Sequence, residues 1–269
     1  MKKYFSYVLL LALCYLLYIN EDSKYIVAGV GIFIIGMYFM EDGFKFFSGG
    51  ILEKLISKST NTTFKSINLG IFATAILQSS SLVSIIVISF LSAKIISLSG
   101  ALGVVFGSAV GTTATTWIVS TLGLKIDIAA FALPMIIFGV IFRFYKNKNL
   151  QGVGNILLGL GFVFLGIGYM KNGFEDLKQG INLAQFAMDG YLGIFVYALI
   201  GMIVTIIIQS SSATLALTIT ALASGQIIYI NALAIAVGAN IGTATTAAMG
   251  AMVSNANSKR MAVGLFIFK

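Results

Sequence analysis

The sequence predicts an all-α integral membrane protein with two inverted-topology repeats, each containing a re-entrant helical hairpin and a discontinuous spanning helix. Three observations predict this fold: the composition, apolar runs of helix length, and two copies of the same motifs. Of the 269 residues, 58% are hydrophobic and only 10% are charged, whereas an average soluble domain has roughly 25% charged residues. Together with a mean hydropathy of +0.99, this balance indicates a chain that folds in a lipid bilayer.

The apolar runs have the length of helices. Runs such as VAGVGIFIIGMYFM and IAAFALPMIIFGVIF approach the roughly 20 residues of a spanning helix. They lack the alternating ten-residue pattern of an outer-membrane barrel. Two segments, 67–98 and 190–224, are interrupted by polar residues at their centres and are predicted to be re-entrant hairpins. The predicted spans are 4–19, 26–40, 100–120, 127–142, 152–170 and 231–250, with a last apolar run from 261.

The lysines and arginines predict the orientation of these spans. If both interrupted segments return to the side they entered, the outer side receives only Lys24, Lys125, Lys171 and Lys178. This positive-inside bias predicts a multi-pass protein of the cell (cytoplasmic) membrane with a cytoplasmic N-terminus. A full crossing by either segment would place the cluster RFYKNK or SNANSKR outside. No A-x-A-like site follows the first apolar run, which favours a retained helix over a cleaved signal peptide at residues 1–19.

The composition also argues against several function classes. The chain has no histidine and a single cysteine, Cys14. Ser-His-Asp catalysis, H-E-x-x-H zinc hydrolysis and a cysteine metal site are therefore excluded. We expect no enzymatic activity, no catalytic residues and no organic cofactor. The formal charge of +8 comes from residues scattered over short loops, so nucleic acid is not an expected partner.

The chain contains two copies of one unit. GIFIIGMYFMEDGF (Gly31–Phe44) aligns with GFVFLGIGYMKNGF (Gly161–Phe174) at an offset of 130. After one inserted residue, ILQSSS aligns with IIQSSS, and GSAVGTTATT with GANIGTATTA. The predicted organisation is an N-terminal span and outer loop at 1–25, repeat 1 at 26–148, and repeat 2 at 149–269, incomplete at its C-terminus. Because each unit crosses the bilayer an odd number of times, the second copy is inverted, as in secondary transporters.

The two Q-S-S-S motifs, Gln78–Ser81 and Gln209–Ser212, are the strongest candidates for a binding site. Serine runs weaken helices, and a broken helix exposes N–H groups that suit an anion. The hydroxyls and the glutamine carbonyl are neutral oxygen ligands that suit a small hard cation. One such motif would more often bond to its own helix or allow close packing. Two copies at equivalent repeat positions favour a site that binds an anion and helps to hold a cation.

Each repeat also carries a threonine-rich element, GTTATT in repeat 1 and NIGTATT in repeat 2. Each follows a ridge of small residues spaced by four, which indicates helix packing. We expect each threonine-rich stretch to be unwound or kinked and to face the hairpin tip of its own repeat. No acidic or basic residue lies within the four polar elements. A charged substrate there would have to be neutralised by co-bound ions and helix ends, which predicts coupling to cations.

Paired QSSS motifs together with GANIGT (Gly238–Thr243) resemble the type II sodium-dependent phosphate cotransporter family, including its bacterial members, from Val27 to Lys269. The resemblance implies a transporter that symports inorganic phosphate with sodium by alternating access. It implies phosphate binding by Gln78, Ser79, Ser80, Ser81, Gln209, Ser210, Ser211 and Ser212. It implies sodium binding by Gln78, Ser80, Thr112, Thr113, Gln209, Ser211, Asn240 and Thr243.

The sequence departs from the family pattern at two points. Ala109 replaces the amide that the second repeat has at Asn240, so the two sodium sites are not expected to be equivalent. The final apolar run, MAVGLFIFK, is too short to span, so we expect a C-terminally truncated chain. Three alternatives stay open: a sodium-coupled carrier of another small anion, a non-transporting phosphate-binding membrane sensor, and, less favoured, a channel. The sodium stoichiometry and the oligomeric state, including a homo-oligomer, also stay open.

Overall fold

The computed structural model describes residues 21–48, 54–56, 60–123, 128–180, 190–252 and 255–269. Within these ranges the regular structure is helical and contains no strand, which confirms the all-α prediction. The predicted span at 4–19 lies outside the described residues. In chain order, the helices are α1 (Glu21–Ser48), α2 (Thr63–Leu77), α3 (Ser80–Ser92), α4 (Leu98–Gly111), α5 (Thr113–Ile118), a π-helical turn (Val119–Gly123), α6 (Ile128–Arg143), α7 (Lys148–Gly180), α8 (Gly190–Ile208), α9 (Ser211–Ala223), α10 (Tyr229–Met252) and α11 (Ala256–Phe268).

The helices coincide with the predicted apolar segments. From residue 26 onward, each predicted span falls on one described helix, except that 100–120 covers α4, α5 and part of the π-helical turn and that residue 127 lies outside the described residues. The two interrupted segments divide into α2–α3 and α8–α9. By length and composition, five described helical stretches can cross a membrane: Ser23–Phe47, Leu98–Thr121, Lys148–Lys178, Gly190–Ile208 and Tyr229–Met252. The first arm of the second interrupted segment, α8, is thus long enough to cross, whereas its counterpart α2 is shorter.

Helices α1 and α7 run antiparallel and touch through their backbones at three glycine pairs. A Cβ atom at Gly36 would lie 2.7 Å from the carbonyl oxygen of Gly159, so no side chain fits between the helices there. Glycine permits such close approach in membrane helices. Because the contacts move back along α7 as they advance along α1, the two helices have opposite directions. The pairs are Gly29 with Gly166, Gly36 with Gly159, and Gly43 with Gly152.

The same kind of contact packs each first hairpin arm against the helix that follows its hairpin. In the first half, Gly107 of α4 lies on the backbone of Ile67 in α2. In the second half, Gly238 of α10 lies on the backbone of Ala198 in α8. Ala198 and Gly238 follow Ile67 and Gly107 by 131 positions each. The two contacts therefore involve matched positions of the two sequence copies.

The prediction of a discontinuous spanning helix in each repeat is wrong for the second repeat. Helix α10 continues from Tyr229 to Met252. Two threonine hydroxyls bond within the helix: Thr243 Oγ1 donates to the carbonyl of Asn240 at 2.6 Å, and Thr245 Oγ1 donates to that of Gly242 at 2.7 Å. Threonines can be satisfied in this way without opening a helix. In the first repeat α4 and α5 are separated by a single residue, Thr112, whose φ of −62° and ψ of −24° are still helical, so the backbone is not unwound there.

The glycine contacts predict a position-dependent effect of a single methyl group. Gly36→Ala should destabilise the protein by about 1–3 kcal/mol, because the methyl group overlaps the α7 backbone. Gly31→Ala is the matched control, since a Cβ at Gly31 meets nothing within 4 Å. That variant should be neutral or more stable by about 0.5–1 kcal/mol through helix propensity. Thermal unfolding in detergent measures both, and equal midpoints for the two variants would contradict the packing.

Candidate functional site

Both Q-S-S-S motifs break a helix at the same point and in the same way. Gln78 ends α2 with a left-handed backbone, at φ 55° and ψ 21°, and Gln209 follows α8 with φ 58°. Positive φ is uncommon for a residue other than glycine and is kept where the surroundings require it. The next serine, Ser79 or Ser210, is extended, and a new helix begins directly after it.

Each glutamine caps the helix that it ends. The backbone N–H of Gln78 donates to the carbonyl of Thr74 at 2.7 Å, and that of Gln209 donates to the carbonyl of Thr205 at 2.8 Å. The side-chain amide nitrogens also donate to their own helices, at the carbonyls three residues earlier. Because the nitrogen end of each amide is used in this way, its oxygen end is presented to neighbouring groups.

Each motif also caps the helix that it begins. Ser79 Oγ accepts from the N–H of Leu82 at 3.2 Å, and Ser210 Oγ accepts from the N–H of Ala213 at the same distance. The N–H groups of the two intervening serines belong to the first turn of a helix, where no intrahelical acceptor exists. These groups, with the positive end of the helix dipole behind them, suit a negatively charged ligand.

The two breaks meet at one cavity of about 250 Å³. On this measure a single water needs about 10–15 Å³, so the cavity has room for a small ion with several waters. Its wall contains all eight residues that the sequence predicts for substrate, and it is completed by α1, by the end of α8 and by Thr243 of α10. The lining residues are Ile34, Met37, Tyr38, Glu41, Gln78, Ser79, Ser80, Ser81, Ile208, Gln209, Ser210, Ser211, Ser212 and Thr243.

Thr115 of α5 links the two tips. Its hydroxyl donates to Gln78 Oε1 at 2.6 Å and accepts from Ser212 Oγ at 3.4 Å. Thr115 is only 4% exposed, so this contact is shielded from solvent. Thr115 is not among the residues that the sequence predicts for the site. The sequence does contain a signal for this role. Gly103, Gly107 and Gly111 recur every four residues on the helix face that packs against the hairpin, and one further step of four reaches Thr115.

The structure brings together five of the eight residues predicted to bind sodium: Gln78, Ser80, Gln209, Ser211 and Thr243. The other three do not line this cavity. Thr113 and Asn240 line a separate cavity of about 320 Å³ together with Ala109 and Lys269. The hydroxyl of Thr112 donates to the carbonyl of Ser108 at 2.9 Å. The sodium-binding role of all eight residues stays a prediction.

Glu41 gives the cavity a charged group that the four polar elements lack. It comes from α1, and its Oε1 lies 3.0 Å from Lys45 Nζ one helical turn away. Glu41 is 26% exposed and Lys45 is 42% exposed, so neither side chain is fully buried. Among the described residues that line the cavity, there is no lysine or arginine. The wall therefore combines two helix N-termini, neutral oxygen atoms and one carboxylate.

Residues 32–172 and 184–269 match the Na+/Pi-cotransporter family. The chain belongs to this family. With five long apolar helices among its described residues, it is a multi-pass membrane protein. No solved structure is significantly similar to it.

Curated relatives cover most of the chain. YjbB of Salmonella typhimurium (strain LT2) and YjbB of Escherichia coli (strain K12) are each 29% identical over 248 residues, which is 91% of this chain. Both are provisionally named inorganic phosphate export proteins. The chain spans 44% of their length. YqeW of Bacillus subtilis (strain 168), an uncharacterised protein, is 30% identical over 239 residues, covering 88% of this chain and 75% of YqeW.

The link through Thr115 predicts a specific functional loss. Thr115→Val keeps the shape of the side chain but removes the hydroxyl that orients Gln78, so phosphate uptake into proteoliposomes should fall about tenfold or more, the equivalent of one buried hydrogen bond to a neutral partner. The matched control is Thr121→Val, whose hydroxyl bonds only the carbonyl of Trp117 on an exposed turn. Equal uptake by the two variants would remove Thr115 from the site.

Proposed function

We propose that the protein is a secondary active transporter that carries inorganic phosphate together with sodium ions across the cytoplasmic membrane. One observation carries the proposal: both Q-S-S-S tips line the same cavity, and each presents the first turn of a helix to it. Membership of the Na+/Pi-cotransporter family and the name of YjbB support phosphate as the substrate.

The chemistry of the cavity suits a small oxyanion. Two helix N-termini supply N–H donors and partial positive charge. Apart from Ser212, whose hydroxyl donates to Thr115, the serine hydroxyls of the tips can rotate to donate or accept. Such a surface can surround a phosphate ion with hydrogen bonds from several directions.

The same cavity favours cations that accompany the anion. Its described lining residues offer no lysine or arginine to balance a phosphate charge, and Glu41 adds a negative charge. Placing an anion there alone is costly, because an uncompensated charge is poorly solvated in a membrane protein. Glutamine oxygens, hydroxyls and a carboxylate are all ligands that a hard cation accepts. Sodium would therefore bind with phosphate, and the two would move together.

The proposal includes two inverted repeats at 26–148 and 149–269. The matched caps at Gln78 and Gln209 and the matched helix packings support the repeat. The antiparallel arrangement of α1 and α7 supports the opposite orientation of the two repeats, because these two helices carry the aligned copies. Under the offset of 130, the contact of Gly29 with Gly166 becomes the contact of Gly159 with Gly36, as a twofold relation between the copies requires.

Helices α3 and α9 support the re-entrant hairpins. Each has 13 residues, so at about 1.5 Å per residue each is about 20 Å long. That length is too short for a hydrocarbon core of about 30 Å. A tip that stops inside the bilayer and lines a cavity satisfies the rule that irregular membrane backbone faces protein or water.

Differences between the copies support alternating access. Ile34 and Met37 of α1 line the cavity. Their counterparts at an offset of 130 are Phe164, which is 6% exposed, and Ile167, which is 0% exposed. These counterparts belong to a core cluster with Ala213 and Ala216 of α9. One copy is therefore open along this wall and the other is closed, which fits a transporter open towards one side.

Phosphate export is a second candidate function. The names of the YjbB proteins favour it, and the same cavity would serve both directions. The combined gradients of the transported ions set the direction in which a symporter carries phosphate. Flux measurements under defined gradients therefore determine whether the protein imports or exports it. Carriage of sulfate or a carboxylate, and phosphate sensing without transport, remain as outcomes that the following experiment distinguishes.

Labelled-phosphate uptake into proteoliposomes tests the proposal. An inward sodium gradient should drive uptake, and an equal potassium gradient should not. Excess unlabelled phosphate should compete strongly, whereas sulfate and succinate should not. Sodium-independent uptake would eliminate the coupling, and phosphate binding with no flux in either direction would favour the sensor.

Serine substitutions test the central site. Ser80→Ala or Ser211→Ala should abolish sodium-stimulated uptake, because each removes a hydroxyl from the cavity wall beside a helix N-terminus. Ser89→Ala is the matched control in α3, since Ser89 is exposed and its hydroxyl bonds the carbonyl of Ile85 at 2.9 Å. Wild-type uptake in both cavity variants would count against the assignment.

A further inference from the structure

The aligned copies carry ion pairs of opposite order. In α1, Glu41 pairs with Lys45 at 3.0 Å. In α7, Lys171 pairs with Glu175 at 3.8 Å. The offset of 130 that relates the two copies places Lys171 at the position of Glu41, and Glu175 at the position of Lys45. The sequence repeat is therefore preserved in spacing and reversed in charge at these two sites.

The two ion pairs lie at opposite ends of the α1–α7 pair. Contact between Gly43 and Gly152 fixes one end near Glu41, and contact between Gly29 and Gly166 fixes the other. The rings of Tyr25 and Tyr169 lie 6.1 Å apart at that second end. Lys171 is thus level with the start of α1, about 17 residues from Glu41, a separation of about 25 Å at the helical rise of 1.5 Å.

Only one of the two pairs reaches the cavity in this structure. Glu41 lines it, beside Ile34 and Met37. Lys171 does not, and the wall next to it is closed by the buried side chains of Phe164 and Ile167. The neighbouring acid Asp42 contacts α7, where its Oδ2 accepts from Asn155 Nδ2 at 2.8 Å. Glu41 is therefore the acidic group of α1 that faces the ligand space.

We propose that the reversed ion pairs make the two entrances of the transporter electrostatically unequal. An ion that passes the Lys45 end meets a carboxylate, and an ion that passes the Lys171 end meets an ammonium group. This inference rests on the proposed function, because it requires the two copies to exchange open and closed states. Glu41 and Lys171 then act as specificity-determining residues, each on one face.

The difference in charge between the two entrances changes the affinity for phosphate on each side. It does not change the phosphate gradient that is reached at equilibrium. A carboxylate beside the cavity repels phosphate and attracts sodium, whereas an ammonium group does the reverse. The sodium gradient, together with the membrane potential where net charge is carried, sets how far phosphate accumulates. The ion pairs set how tightly phosphate binds from each side. By the positive-inside rule the Lys45 end is cytoplasmic, so capture is tight outside and release is easy inside.

Charge-swap variants test the inference while preserving both ion pairs and the net charge. Glu41→Lys with Lys45→Glu gives the first copy the order of the second. Lys171→Glu with Glu175→Lys gives the second copy the order of the first. Each swap is the matched control for the other, since each should change the KM for phosphate on one membrane face only. Initial rates of phosphate entry are measured in right-side-out and in everted membrane vesicles, with sodium on the side of entry.

The first swap should lower the KM for phosphate at the Lys45 face about three- to tenfold, and the second should raise it at the Lys171 face by the same factor, because each swap reverses a partly screened charge beside the cavity. The opposite face should change less than twofold in each case. Should the first swap fail to insert, Glu41→Gln should lower the KM at the Lys45 face about two- to threefold. Membrane-impermeant labelling of Lys146→Cys, in a Cys14→Ser background, identifies the Lys45 face.

The outcomes separate this inference from the proposed function. Vesicles with wild-type protein that show no sodium-dependent phosphate flux would overturn the proposed function and this inference with it. Intact flux, with KM values that stay equal to wild type on both faces or shift equally on both, would overturn the inference alone. A shift confined to the predicted face supports it.

Discussion

The structure depends on helices that touch through their backbones. Glycines let α1 approach α7, α2 approach α4, and α8 approach α10 so closely that a single Cβ would collide with a carbonyl at most of these contacts. In a bilayer the hydrophobic effect does not drive helices together, so close packing has to hold them. The α2–α4 and α8–α10 pairs each fix the axis of a hairpin arm. The position of a Q-S-S-S tip follows from the axis of the arm that carries it.

Fixing the tips has an electrostatic result. Two helices begin at the same cavity, and their partial positive charges add there because both N-termini are held in place. Neutral side chains and one carboxylate complete the wall. The cavity thus offers backbone groups to an anion and oxygen atoms to a cation. In the proposed function its lining residues leave each ion partly unbalanced, and this shortfall is the physical basis of the coupled binding that we propose.

The sequence predicts the helix breaks because four polar residues in an apolar run, repeated at matched positions, have few other uses. It also contains the signal for Thr115, through the spacing of the preceding glycines. It does not predict that α10 stays continuous, because a hydroxyl such as that of Thr243 can bond its own helix or a neighbour without any change of pattern. Glu41 could not be placed at the cavity from sequence, since that contact is created by tertiary packing of α1.

The hydroxyl of Thr115 carries one proton, and that proton is committed to Gln78. The amide of Gln78 cannot turn to offer its nitrogen, because that nitrogen bonds its own helix. The proton order is thereby fixed from one end to the other: Ser212 donates to Thr115, and Thr115 donates to Gln78. With its proton used, Ser212 offers only lone pairs to the cavity. In the proposed function, this arrangement would present the lone pairs of Ser212 to a cation, while the backbone amides of the second tip would face the anion.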